Sequence, residues 1–141
     1  MTKPMYPCLW FDGQARAAAD FYCTIFPDSK IIMDSGMVVN FELNGQLFMG
    51  LNGGPLCKFN EAVSFVINCK DQAEIDHYWY KLIADGGQES MCGWCKDKFG
   101  LSWQVVPSVL GQLMSDPEKG PRVVQAFMKM KKFDIEALQN A

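Results

Sequence analysis

The chain has 141 residues, 49% hydrophobic and 21% charged, with a net charge of −3. That is the composition of one globular domain able to bury a core unaided, and it excludes a disordered chain. The small negative charge excludes a nucleic-acid footprint, and no apolar run reaches the roughly 18 residues of a transmembrane helix.

The opening MTKPMYPCLWF has no apolar segment followed by a small-residue cleavage site, so a cytoplasmic protein with no membrane partner is expected. Six cysteines stand at positions 8, 23, 57, 69, 92 and 95. With core enough and no secretory signal, reduced thiols are expected rather than a disulfide framework.

In chain order, MYPCLWF reads as a strand, and Asp12 is placed to cap a helix whose apolar positions are Ala15, Ala18, Ala19, Tyr22, Ile25 and Phe26. Pro27 ends it. KIIMD, VVNFEL and QLFMGLN follow as strands, the last two joined by Asn44-Gly45, a pair that tolerates the positive φ of a two-residue hairpin. GGP at 53–55 breaks the pattern. AVSFVINC, residues 62–69, is the next strand. Asp71 caps a second helix with Ile75, Tyr78, Trp79, Leu82 and Ile83 on one stripe, and ADGG stops it. A weak strand near Gln88 precedes SMCGWCK and LSWQVVP, which pair across Asp97-Lys98-Phe99-Gly100.

The plan is α+β: two copies of strand, helix and three strands (βαβββ), at about 5–55 and 61–107, then a helical tail over 108–141. Gly45 superposes on Gly100, which sets Met49 against Gln104. In the tail, Val123, Val124, Phe127, Met128 and Met130 form an apolar face, for closing over the sheet, for a dimer contact or, third, for a membrane surface, to which three lysines among acidic residues give little net attraction.

Cys92-Gly93-Trp94-Cys95 is a C-x-x-C. In an extended segment, three residues span about 10 Å, beyond the roughly 7 Å that a disulfide bridges. No second pair stands at zinc-ligand spacing, so these cysteines are expected to be strand residues. His77, beside the stripe of the second helix, is expected to be a surface or packing histidine.

The segments PCLWFDGQARAAADFYCTIFPDS, NGGP, FNEAVSF, CGW, KDKFGLSWQVVP and MKMKK resemble the PhnB-like branch of the vicinal oxygen chelate superfamily, which also holds glyoxalase I, extradiol dioxygenases and the bleomycin and fosfomycin resistance proteins. The resemblance covers nearly the whole chain, and implies one domain in which both modules form a cupped eight-stranded mixed sheet with helices outside. It also implies a small-molecule ligand and a homodimer. In metal-dependent members, His and Glu from the first, fourth, fifth and eighth strands hold one divalent ion that acts as a Lewis acid. Here those places fall near Pro7 or Cys8, at Met49, near Ser64 and at Gln104. None is His, Asp or Glu, so neither a catalytic metal nor another cofactor is expected.

The ligand pocket implied consists of Cys8, Trp10, Met49, Asn52, Ser64, Trp94 and Gln104. Strand alternation sets Ser102, Gln104 and Val106 on one face and Trp103 on the other. Trp94 either contacts ligand or packs the core. The expected function is metal-independent binding of a small, partly hydrophobic molecule. The alternative is a lyase, isomerase or dioxygenase with an atypical metal set, or with Cys8 as nucleophile. Methyl transfer, the label this branch often carries, is third: no glycine-rich loop after a first strand provides for S-adenosylmethionine.

Overall fold

A computed structural model describes residues 3–141. The chain divides into two compact units, Met1–Phe59 and Asn60–Ala141. Each contains one module with its own four-stranded mixed sheet.

The first module runs β1 (Cys8–Phe11), α1 (Ala15–Cys23), β2 (Lys30–Asp34), β3 (Val38–Leu43) and β4 (Gln46–Asn52), in the sheet order β1-β4-β3-β2. β1 lies parallel to β4, so α1 serves as the crossover, and the other pairs are antiparallel. The helix covers one face. Leu9, Phe11, Val39, Phe41, Leu43 and Phe48 are buried beneath Ala15, Ala18, Ala19 and Tyr22, and Phe41 stacks on Phe48 at 5.4 Å between ring centroids. Asn44 and Gly45 have φ of 51° and 80°, which closes the β3–β4 hairpin as its sequence predicts.

Two details depart from expectation. β1 starts at Cys8 rather than Met5, although Pro7 O still accepts from Met49 N at 3.0 Å. Asp12 does not cap α1. The N-cap is Gln14, which makes no side-chain cap bond, and Asn52 Oδ1 accepts from Ala15 N at 2.9 Å. The cap comes from the far end of β4 because the parallel β1–β4 pairing brings that end beside the start of α1.

The second module runs β5 (Ser64–Cys69), α2 (Gln72–Leu82), β6 (Gln88–Glu89), β7 (Trp94–Lys96) and β8 (Ser102–Pro107), in the order β5-β8-β7-β6. β5 and β8 are parallel. Asp71 caps α2 as predicted, accepting from Glu74 N at 2.9 Å, and Ile75, Tyr78, Trp79 and Leu82 are buried. The Asp97–Gly100 loop is centred on Asp97, only 2% exposed. Its carboxylate accepts from Phe99 N (2.9 Å), Leu101 N (3.1 Å) and Trp103 Nε1 (2.9 Å).

The extended SMCGWCK segment is corrected to a turn followed by a short strand. Cys92 and Gly93 have φ of 59° and 79°, and Trp94 N donates to Met91 O. The tail causes this. Cys92 N and Gly93 N donate to Met130 O and Lys131 O at 2.7 and 2.8 Å, while a Cβ on Gly93 would stand 2.3 Å from the Phe133 ring.

The tail is helical as expected, in three short helices, α3 (Leu110–Met114), α4 (Gly120–Phe127) and α5 (Ile135–Gln139). Between α4 and α5 the backbone carbonyls turn to the Cys92-Gly93 amides, so the helix stops. Phe133 and Leu138 are buried. Gln72 of α2 clamps the segment by donating to Phe133 O and accepting from Ile135 N, both at 2.9 Å.

Candidate binding face of the second sheet

In each module the helix takes one face of its sheet, and the candidate strand residues fall on the other except Asn52, which pairs with buried Phe11 on the helix side and bonds the start of α1. In the first unit, Cys8 pairs in register with Met49, Trp10 with Leu51, and Phe11 with Asn52. Trp10 is fixed: its Nε1 donates to Gly54 O at 2.9 Å, and its ring lies where a Cβ on Gly53 would be. Asn52 is engaged twice, capping α1 and donating from Nδ2 to Gly36 O at 2.8 Å. The Cys8 thiol is exposed, but partial desolvation raises its pKa, the opposite of activation as a nucleophile.

In the second unit, Ser64, Val66 and Asn68 of β5, Ser102, Gln104 and Val106 of β8, and Trp94 and Lys96 of β7 alternate onto the helix-free face. Trp94 stands opposite Gln104 across β7–β8. Gln104 Nε2 donates to Ser64 Oγ at 2.9 Å. On the helix side Trp103 is buried against Asp97, and Cys95 is buried with its thiol pushed up to about 12 by desolvation, with Asp97 and Glu89 adding to the effect. All six cysteines are free. His77 is exposed on α2, edge-on to Tyr78 at 5.0 Å.

A cavity of about 200 Å³ opens on this sheet, lined by Glu61, Gln88, Glu89, Ser90, Trp94, Cys95, Lys96 and Ser102. Of the residues the sequence nominates for a pocket, only Trp94 lines it. Ser102 was legible as a small hydroxyl in an apolar strand, two residues before Gln104 on the same face. Cys95 and Lys96 follow Trp94 in β7, while Glu61 and Ser90 come from loops and Gln88 and Glu89 from the two-residue β6, which carry no periodic signal. Lys96 pairs with Glu61, whose carboxyl it holds below the usual range. Glu89 accepts from Trp79 Nε1 at 3.2 Å and lies 3.8 Å from Lys131 Nζ. Ser102 Oγ is buried with no hydrogen-bond partner.

The registers also refine the family's metal places. Gln104 pairs with Val66, and Ser64 lies two residues earlier on the same face. Met49 pairs with Cys8, so the residue matching Ser64 in the first unit is Tyr6. The four places thus hold a phenol, a thioether, a hydroxyl and an amide. Divalent ions in such sites take carboxylate and imidazole, and among the described residues no three His, Cys, Asp or Glu converge to hold an ion. These residues do not fit the superfamily's metal.

A sequence model of the family described as 3-demethylubiquinone-9 3-methyltransferase matches residues 3–106. Among solved structures, the PhnB protein from Bacillus cereus is 29% identical with a TM-score of 0.67, over 74% of this chain and 99% of that one. The fosfomycin resistance protein FosX from Listeria monocytogenes is 14% identical, TM-score 0.56, over 75% and 91%. A glyoxalase-related enzyme from Fulvimarina pelagi is 12% identical, TM-score 0.53, over 74% and 88%; these last two share the fold. No protein of curated function matches. The chain belongs to the family described as 3-demethylubiquinone-9 3-methyltransferase, the PhnB-like branch of the vicinal oxygen chelate superfamily.

Proposed function

We propose that this protein binds a small molecule on the helix-free face of its second sheet and does so without a catalytic metal. The observation that carries the reading is the 2.9 Å bond from Gln104 Nε2 to Ser64 Oγ. Two of the four places that hold metal ligands in relatives here satisfy each other, and neither offers a charge to a cation. Supporting it, Cys8 has a raised thiol pKa rather than the lowered one a nucleophile needs. The β1–α1 connection is Asp12-Gly13-Gln14, with a single glycine, and so is not the glycine-rich loop after a first strand expected of an S-adenosylmethionine site.

In this reading the protein acts in the cytoplasm, consistent with six free thiols, and among the described residues no helix is long and apolar enough to cross a membrane. It works as a homodimer, the assembly common among small members of the superfamily.

The test is the metal content of protein purified without chelator or nickel affinity, measured by plasma mass spectrometry after dialysis against Mn²⁺, Zn²⁺ or Ni²⁺. Substoichiometric uptake is expected, rising when Ser64→His and Gln104→Glu are introduced together. A full equivalent of ion held by the unaltered chain and lost in Gln104→Ala would overturn the reading.

A further inference from the structure

We propose that the cavity on the second sheet takes a small uncharged molecule that presents a carbonyl, amide or hydroxyl group to Ser102. The assignment rests on the metal-free reading above and adds the class of ligand. Two independent features carry it.

The first is the unpaired hydroxyl. Ser102 is 0% exposed, lines the cavity, and its Oγ has no hydrogen-bond partner. A buried polar group without a partner costs folding free energy and is uncommon in native proteins. Its register neighbours are Ser64 on one side and Lys96 on the other. Ser64 already accepts from Gln104, and Lys96 is drawn to Glu61. Neither meets the Ser102 hydroxyl, which is left to an incoming group. In the Lys96–Glu61 pair the glutamate is exposed and the lysine half-buried, and pairs open to water gain little over separately hydrated charges, so the lysine chain beside Ser102 moves at small cost.

The second is the charge balance of the walls. Lys96 is matched by Glu61, and Glu89 by the Trp79 indole N–H and Lys131. A charged ligand would have to displace a matched partner, whereas a neutral one leaves both sets intact. Gln88 and Ser90 add neutral polar groups at the rim, and Trp94 an aromatic wall. At about 200 Å³ the space is below the roughly 300–1,000 Å³ of drug-sized sites. The fit is a compact molecule with one polar head and a flat apolar body.

Benzamide and benzoate match in shape and differ in charge, so they separate the classes. Each is titrated by NMR into the full chain in EDTA, with Ser102→Ala alongside. Benzamide is expected to shift resonances of Trp94 and the β7–β8 strands saturably, and to bind about 10-fold more tightly than benzoate. Ser102→Ala weakens benzamide about 5-fold, the scale of one lost neutral hydrogen bond, while raising the unfolding temperature because the unpaired hydroxyl is gone. A merely structural serine would not give that opposition. Tighter binding of benzoate, unchanged benzamide affinity in Ser102→Ala, or no saturable shift at these residues either in EDTA or with excess Zn²⁺ in its place would overturn the proposal. Benzamide binding that appears only with Zn²⁺ yet still falls in Ser102→Ala would support the ligand class and overturn the metal-free reading, so the two failures are distinguishable.

Discussion

The two modules share a plan but start their helices differently. α2 is capped locally by Asp71, the residue just before it, through Glu74 N. α1 has no such residue, and its first amide is met by Asn52, 37 positions away in sequence at the end of β4. Their hairpins differ in the same way. Asn44-Gly45 needs only two positive φ angles, whereas the Asp97–Gly100 loop is organised round a buried carboxylate with three donors. The first module therefore ties distant segments together at its helix start, whereas the second buries a local network in its hairpin, with all three donors within six residues of Asp97.

The comparison is broken most forcefully at Asp97. Asp97→Ala leaves two backbone amides and the Trp103 indole N–H without their acceptor, so a loss of about 3 kcal/mol or more is expected in urea denaturation. Asn44→Ala, at the first module's hairpin, should lose only about 1 kcal/mol through its positive φ. Equal losses at the two positions would refute the contrast.

Next in size is a pair of glycines. Gly93→Ala sets a methyl against the Phe133 ring at a positive φ, and about 3 kcal/mol is expected. A Cβ on Gly45 meets nothing within 4 Å, so Gly45→Ala should cost about 1 kcal/mol from backbone conformation alone. Hydrogen exchange at Cys92 and Gly93, whose amides bond the tail, should quicken in the first variant and not in the second.

The caps follow. Asn52→Ala removes the cap of α1 and the bond to Gly36, and should cost about 2 kcal/mol. Asp71→Ala should cost about 1 kcal/mol. Thermal unfolding that ranks them in the reverse order would show that the distant cap carries less than the local one.

The smallest effect lies in the tail. Lys132 bonds Asp76 at 2.6 Å and lowers its carboxyl pKa, with Gln72 adding to the shift. A lowered folded pKa gives stabilisation that is present above the unfolded value of about 3.9 and is lost as pH falls through the folded one. The Lys132 ammonium stays charged throughout, its own pKa being raised by Asp76. Asp76→Asn should cost about 0.5 kcal/mol at neutral pH and nothing once the native carboxyl is protonated, read as exchange of the Met130–Phe133 amides.

Strand alternation, helix stripes and turn residues depend on neighbours a few positions apart, and these were legible. VVNFEL and QLFMGLN coincide with β3 and β4, the α2 stripe is buried from Ile75 to Leu82, and both hairpins close where their glycines stand. The same local signals set Ser102 and Gln104 on one face of β8. The departures arise where a distant segment supplies the partner. Asn52 replaces Asp12 at α1 because parallel pairing brings β4 to the helix start. Cys92 and Gly93 leave the strand because the tail carbonyls between α4 and α5 take their amides.

Of the candidate site, the sequence determined that Met49, Ser64 and Gln104 carry no carboxylate or imidazole, since that is a matter of residue type, while the first-strand place moved from Pro7 or Cys8 to Tyr6 only with the β1–β4 register. The tertiary structure decided that Ser64 and Gln104 bond each other, that Trp10 and Asn52 are occupied in the first unit, and that Ser102 is left without a partner beside a cavity. Hydrogen-bond satisfaction and cavity shape depend on which side chains meet across strands and loops, and only the folded chain brings those together.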